Sequence, residues 1–172
     1  YLSWGETYFF SLFGFATHGL LDACTSYGTQ LLWPFSDERI SWNYVSVVDP
    51  FLSVPLILAI IFSIIMKNKY ITLFGIFYIF IYLTFGAFQE NRAEYVGKSI
   101  ANFRGHESKN MTVKPSLGNL FLWKTIYEDR GFYYVDAVRL FSKLEYCQGT
   151  KIKKFDLLMD FSDLNKKSQQ YK

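Results

Sequence analysis

The feature that most constrains this chain is an uncharged run of nineteen residues from Tyr70 to Phe88. At a helical rise of about 1.5 Å per residue, such a run crosses the roughly 30 Å hydrocarbon layer of a bilayer. A second uncharged stretch, residues 50–66, precedes it and is separated from it by the polar residues 67–69. It is short for a span, and we expect it to extend through Val47 and Val48. Both stretches are apolar on every side, which favours two antiparallel membrane helices over core helices of a soluble protein.

A third apolar segment, from Tyr8 to about Thr29, contains two polar residues in its middle. His18 and Asp22 are four residues apart, so they project from the same face of a helix. An acidic side chain at membrane depth costs about 3 kcal/mol on insertion scales, so it needs a partner, a cavity or a metal ion. We therefore expect Asp22 to face inward. The same stripe continues through Ser11, Thr25 and Thr29.

Residues 28–50, the mouth loop, join this third helix to the first uncharged stretch. The loop is rich in polar and aromatic residues, and Trp33, Trp42 and Tyr44 suit a membrane-water interface. Because the loop connects two helix ends, we expect its polar side chains to converge at the mouth of the bundle. These side chains are Ser36, Asp37, Arg39 and Asp49.

The charge distribution divides the chain near residue 89. Residues 1–89 carry three basic and five acidic side chains, whereas residues 90–172 carry fifteen basic and ten acidic side chains. This contrast predicts a membrane region over 1–89 and a small soluble α+β domain over 90–172. The hydrophobic content of 51% excludes a disordered chain, and a net charge of +3 predicts no nucleic-acid partner. Two cysteines exclude a disulfide framework and a Cys-based zinc module.

Within the second region, periodicity predicts a short amphipathic helix over residues 92–103. Two aromatic and β-branched runs, 119–127 and 132–141, flank a four-residue turn and predict a β-hairpin. Phe155, Leu158, Met159 and Phe161 suggest a last short helix or strand.

The strongest candidate for chemistry is the pair formed by His18 and Asp22. An imidazole and a carboxylate one helical turn apart can ligate a divalent ion such as Zn²⁺ or Mn²⁺, with a further ligand from Asp49, the mouth loop or residues outside this sequence. A hydrogen-bonded pair that satisfies itself is the alternative. Arg39 could bind a phosphate or carboxylate, or pair with a neighbouring acid or lipid headgroup. His106 could be a ligand or base, but a solvated loop histidine is the simpler interpretation, and we leave it out of the site.

The run THGLLDACTSYGTQLLWPFSDERISW at residues 17–42, followed by VVDP at 47–50, resembles the bacterial membrane-bound metal-dependent hydrolases, also described as LexA-binding, inner-membrane-associated hydrolases. RGH at 104–106, VKPSLGNLFLW at 113–123 and YYVDAV at 133–138 resemble the C-terminal part of that family. The family also has an upstream H-R-x-x-T-H-S motif, which is absent here. Because the chain opens with Tyr and no signal peptide, we expect it to be an incomplete gene product.

The resemblance implies a multi-pass protein of the bacterial inner membrane with a divalent-metal site. The matching positions are His18 and Asp22 as ligands, with Asp49 as ligand or base and Arg39 holding substrate charge. Together with the hydropathy pattern it predicts an α-helical membrane bundle of about three hydrophobic helices, followed by the α+β domain. The expected activity is hydrolysis of a lipid-like phosphoester or ester. The alternative is a non-catalytic membrane scaffold or regulatory binding protein, with residues 90–172 docking a protein partner.

Overall fold

The computed structural model describes residues 3–141 and 144–155, which form three helices followed by a four-stranded sheet. The strands are antiparallel, and each pairs with the strand that follows it in the sequence. The helices are α1 (Trp4–Ala23), α2 (Pro50–Met66) and α3 (Lys69–Phe103), and the strands are β1 (Lys109–Pro115), β2 (Leu122–Asp129), β3 (Phe132–Leu140) and β4 (Leu144–Lys153).

The predicted bundle of about three hydrophobic helices is wrong. Among the described residues, α3 is the one helix long and apolar enough to cross a membrane. Helix α2 stays at 17 residues because Asp49 caps its first turn, so the helix does not extend into Val47 and Val48. Helix α1 ends at Ala23 and, in the described part of the chain, packs against neither α2 nor α3. The polar stripe is therefore shorter than predicted, since residues 25 and 29 lie beyond the helix.

Helices α2 and α3 form an antiparallel hairpin at the polar turn. Lys67 ends α2 in the left-handed region, with φ of +50°, and the side chain of Asn68 caps the start of α3. The two helices approach closely at Gly75, where an added Cβ would lie 3.2 Å from that of Ala59. The hairpin therefore brings the start of α2 beside the middle of α3.

Helix α3 is continuous for 35 residues, and the short helix predicted over 92–103 is its last third rather than a separate element. No proline or turn interrupts the chain there, and small residues on one side of this part face the sheet. The boundary predicted between residues 89 and 90 falls inside α3, and the division into 1–89 and 90–172 stays a prediction. The buried residues in this last part of α3 are Ala93, Val96, Gly97 and Ala101.

The sheet is larger than the single predicted hairpin. β2 and β3 form a hairpin through the turn at Arg130 and Gly131, which both have positive φ. β1 and β4 extend this hairpin on either side, and their sequences, KNMTVKP and LEYCQGTKIK, do not have the hydrophobic alternation of an inner strand. Charged and polar residues are common on edge strands, where they oppose pairing with other chains. Of the predicted last element, Phe155 is exposed and belongs to no helix or strand, and residues 158–161 lie outside the described residues.

One hydrophobic core joins α3, the sheet and the segment around the mouth loop. Trp123 and Val138 of the sheet are fully buried, and Cys24 and Val45 pack into the same cluster. Gln89, also buried, donates to the carbonyls of Leu120 and Leu140 at 3.1 and 3.5 Å. The mouth loop is thus packed into the core at its Val45 end.

Candidate functional site

His18 and Asp22 lie one turn apart near the end of α1. A capping box between Ser3 and Glu6 fixes the start of this helix, which sets the register of the pair. The His18 Nε2 atom is 3.4 Å from Oδ2 of Asp22, and the side chains are 70% and 45% exposed. Asp22 therefore does not face inward against another described helix. The two side chains do converge, and each keeps free surface for a further ligand.

Asp49 occupies a different environment, because it is 3% exposed and caps α2. Its Oδ1 accepts from the backbone N–H groups of Phe51 and Leu52 at 3.1 and 3.3 Å. Its Oδ2 accepts from the hydroxyl of Tyr82 on α3 at 2.8 Å. The Val-Asp-Pro sequence is thus a helix start, with the aspartate at the N-cap and Pro50 at the first helical position, where its missing N–H costs least. Both carboxylate oxygens hold protein partners.

Arg39 lies on the exposed side of the mouth loop. Its Nη1 donates to the carbonyls of Tyr27 and Gly28 at 3.4 and 3.2 Å, and its guanidinium stacks 4.8 Å from the centroid of the Tyr27 ring. Ser36 accepts instead from the N–H of Glu38 and forms the turn before Arg39. The arginine therefore fastens the base of the loop, while the residue as a whole stays exposed.

The structure brings His18 and Asp22 together, and among the residues that it describes no third ligand joins them. No group of three or more His, Cys, Asp or Glu side chains in residues 3–141 and 144–155 could hold a metal ion. Within the described part of the chain, His18 and Asp22 could therefore fill two positions of a metal site, and no third such side chain joins them.

A polar network that the sequence analysis left out lies where α3 ends against the sheet. Arg104 donates through both terminal nitrogens to the carboxylate of Asp136, at 2.6 and 3.1 Å. Asp136 is almost fully buried and also accepts from the N–H of Gly149 at 3.0 Å. The hydrogen bonds to Asp136 raise the pKa of the Arg104 guanidinium above its usual range. This bidentate pair joins α3 to β3 and β4.

The hydroxyl of Tyr127 connects this pair to His106. It accepts from Nη1 of Arg104 at 3.1 Å and lies 2.9 Å from Nδ1 of His106. The His106 ring is 4.5 Å from that of Tyr134, which stacks on Tyr127. Burial raises the pKa of the Tyr127 hydroxyl, while Arg104 acts in the opposite direction.

His106 is therefore half-buried and hydrogen-bonded, not solvated as the sequence interpretation held. A signal was available, since the sequence contains both an Arg-Gly-His stretch and a Tyr-Tyr-Val-Asp stretch. Their meaning depends on a fold that places residue 104 beside residue 136. Because every polar atom named in the network has a partner within the protein, its arrangement is that of a structural junction.

Comparisons with known proteins identify the membrane part of the chain. No curated protein and no solved structure matches it. A family model described as YdjM inner membrane protein matches residues 2–93, which include α1, α2 and most of α3 but none of the sheet. The match covers more than half of the 172 residues, and the chain therefore belongs to the YdjM family of bacterial inner-membrane proteins.

Proposed function

We propose that this inner-membrane protein binds a divalent metal ion through His18 and Asp22 and that the ion serves hydrolysis of a lipid-like ester or phosphoester. The observation that carries the proposal is the 3.4 Å separation of Nε2 and Oδ2 in two accessible side chains. Two ligands of a tetrahedral zinc ion, at bond lengths near 2.1 Å, are about 3.4 Å apart. The pair therefore has the spacing of two groups that share an ion.

The proposal gives separate roles to the bound ion, to Arg39 and to Asp49. A bound divalent ion would supply Lewis acidity toward an ester or phosphoryl oxygen. Arg39 would hold negative charge on the substrate with the donors that the loop carbonyls leave free. Asp49 could ligate or act as base only if it exchanged the Tyr82 hydroxyl for another partner, because that bond and the helix cap engage both of its oxygens.

A second candidate is a non-catalytic scaffold or regulatory binding protein of the membrane. The observation that favours it is that Arg39 and Asp49 both have structural partners within the loop and the helix start. Under this candidate His18 and Asp22 form an ordinary pair on the helix surface, and residues 90–172 present the surface that a protein partner recognises.

Metal content distinguishes the two candidates. The full chain is purified in detergent, equilibrated with Zn²⁺ or Mn²⁺, desalted and measured by elemental analysis as wild type, His18→Ala and Asp22→Ala. His106→Ala is the matched control, since His18 and His106 are the two histidines of the chain. We expect about one ion per chain in wild type and in the control, and loss in both site variants. Equal metal content in all four proteins would refute the proposal and leave the scaffold.

Hydrolysis is measured on the same preparations with a fluorogenic phosphoester and a fluorogenic ester in mixed micelles. We expect activity to follow metal content across the variants. Metal binding without turnover of either substrate would keep the ion site and reject the hydrolase assignment for these substrate classes.

A further inference from the structure

We infer that the end of the sheet nearest α3's apolar span inserts into the headgroup layer of the bilayer, as a second membrane contact beside the helices. The contact surface, here named the apolar rim, consists of Leu117, Phe121 and Phe141, which are 74%, 40% and 59% exposed. This inference is independent of the metal proposal, because no residue of the rim belongs to α1 or to the mouth loop.

The direction of the sheet relative to α3 follows from three contacts along the helix. Gln89 bonds to the carbonyls of Leu120 and Leu140, at one end of the sheet. Eight residues further, an added Cβ at Gly97 would lie 3.1 Å from Cγ2 of Thr125, in the middle of β2. Arg104 then contacts Tyr127 and Asp136. The sheet therefore runs alongside α3, with its residue 120 end beside the apolar span and the β2–β3 turn farthest away.

The depth of this end follows from the length of α3. A hydrocarbon layer of roughly 30 Å that begins at Tyr70 extends over about twenty helical residues, to the neighbourhood of Gln89. Phe85 thus lies about 6 Å inside that boundary for an upright helix. The Phe121 ring is 6.1 Å from the Phe85 ring, and the Phe141 ring is 5.3 Å from that of Phe121. These aromatic contacts continue the membrane-facing surface of α3 onto the sheet.

The start of α2 gives a second estimate of the membrane depth of this end of the sheet. The turn that carries Leu117 rests on it, because the N–H of Gly118 donates to the carbonyl of Val48 at 3.1 Å. An added Cβ at Gly118 would lie 3.3 Å from the Pro50 ring. Helix α2 is uncharged from its first residue, so its start lies at the edge of the hydrocarbon layer. The exposed Leu117 therefore projects at headgroup depth.

Charge near the boundary suits a lipid surface as the occupant. The exposed Arg92 lies one turn above Phe88, with its guanidinium 5.7 Å from the centroid of that ring, and its Nη1 donates to Oε1 of Gln89 at 2.8 Å. A long basic side chain that lies along an aromatic ring at this level can reach the anionic headgroups of the membrane. Continuity with the apolar span and a neighbouring basic group together favour lipid over a second protein chain.

Site-specific fluorescence tests the inference on the full chain. Leu117→Cys, Phe121→Cys and Phe141→Cys are made in a Cys147→Ser background, because Cys147 is exposed and Cys24 is buried. Each is labelled with a polarity-sensitive fluorophore and reconstituted into phosphatidylcholine–phosphatidylglycerol vesicles that carry headgroup nitroxide lipids. The matched control is Arg130→Cys, at the other end of β2 and about 27 Å away along the strand. The unsubstituted Cys147→Ser protein gives the background labelling of Cys24.

We expect the lipid nitroxide to quench the rim probes about threefold or more above the Arg130 probe, since quenching requires contact at headgroup depth. Iodide in the aqueous phase should give the opposite order. Leu117→Cys keeps the test valid if substitution of Phe121 disturbs folding, because Leu117 is largely exposed. Equal quenching of rim and control probes would overturn the inference. Probe-to-probe energy transfer that rises with the protein-to-lipid ratio, without lipid quenching, would assign the rim to a second copy and overturn it as well.

Discussion

Substitution of Gly86 by alanine is expected to destabilise the junction between α3 and the mouth loop. An added Cβ at this position would lie 2.4 Å from the carbonyl oxygen of Tyr44 and 3.1 Å from its carbonyl carbon. These are backbone atoms, so they cannot rotate away as the end of a side chain can. Relief requires α3 and the loop to separate by about 0.8 Å, which brings the contact back to a normal van der Waals distance.

The sign of the effect depends on two opposing terms. Replacing glycine by alanine inside a helix gains about 1 kcal/mol from helix propensity. Overpacking a closely packed interface costs about 1–3 kcal/mol. The clashing carbonyl belongs to Tyr44, and the next residue, Val45, is buried in the core. We therefore expect a net loss of up to about 2 kcal/mol in the free energy of unfolding.

Cys24 provides the assay, because it packs in the same cluster as Val45 and its carbonyl accepts from the N–H groups of Tyr44 and Val45. Burial raises the pKa of the Cys24 thiol, which slows its alkylation further. In a Cys147→Ser background, the alkylation rate reports opening of the core. A loss of about 1.4 kcal/mol should raise this rate about tenfold.

Gly14→Ala is the matched control for that experiment. Gly14 is also helical, and nothing lies within 4 Å of an added Cβ there. This control should show no faster alkylation and a stability that is unchanged or higher by up to about 1 kcal/mol. If Gly86→Ala alkylates at the rate of Gly14→Ala, the close approach of α3 to the mouth loop is refuted.

Two further predictions concern charges on the sheet. Asp136→Asn should destabilise the protein by about 3–5 kcal/mol in denaturant unfolding, because it leaves Arg104 without its carboxylate partner. Arg139→Lys should cost about 0–1 kcal/mol, since the pair of Arg139 with Glu145 is exposed. Equal losses in the two variants would contradict this account. Lys154 lowers the pKa of Glu128 below 4.5, and Glu128 raises the pKa of Lys154 above 10.5. The pair should therefore contribute its full stability between these two pH values. Its contribution should fall when the pH drops through the folded pKa of Glu128 or rises through the folded pKa of Lys154. Unfolding from pH 3 to 7 should show this acid-side loss in wild type and not in Glu128→Gln, and identical profiles would contradict it.

Features that depend on neighbouring residues were predictable from the sequence. The uncharged run from residue 70 to 88 required no knowledge of tertiary contacts, because the requirement of a bilayer for apolar length is itself local. The His18–Asp22 spacing likewise places both side chains on one face of any helix. The proline after Asp49 indicated that this aspartate caps a helix. Its position near other polar loop residues led us to place it in the metal site instead.

Features that depend on distant pairing were not predictable. β1 and β4 carry polar and charged residues at several positions, so only their pairing with β2 and β3 makes them strands. The Arg104–Asp136 pair spans 32 residues, and the contact of Gln89 with the Leu140 carbonyl spans 51. No local pattern encodes such contacts. The length of α3 was missed for a related reason, because its last third is charged on one side and faces the sheet on the other.

The different positions of the candidate residues determine how a metal experiment can be interpreted. Asp49 bonds to α2 and to Tyr82 of α3, so its substitution would disturb the hairpin, and lost metal in such a variant would not identify it as a ligand. His18 and Asp22 lie on a helix that packs against no other described helix or strand; His18 is exposed and Asp22 is partly exposed. Their substitution should leave the core intact, which slow Cys24 alkylation would verify. A metal loss with Cys24 still protected would therefore report ligation itself.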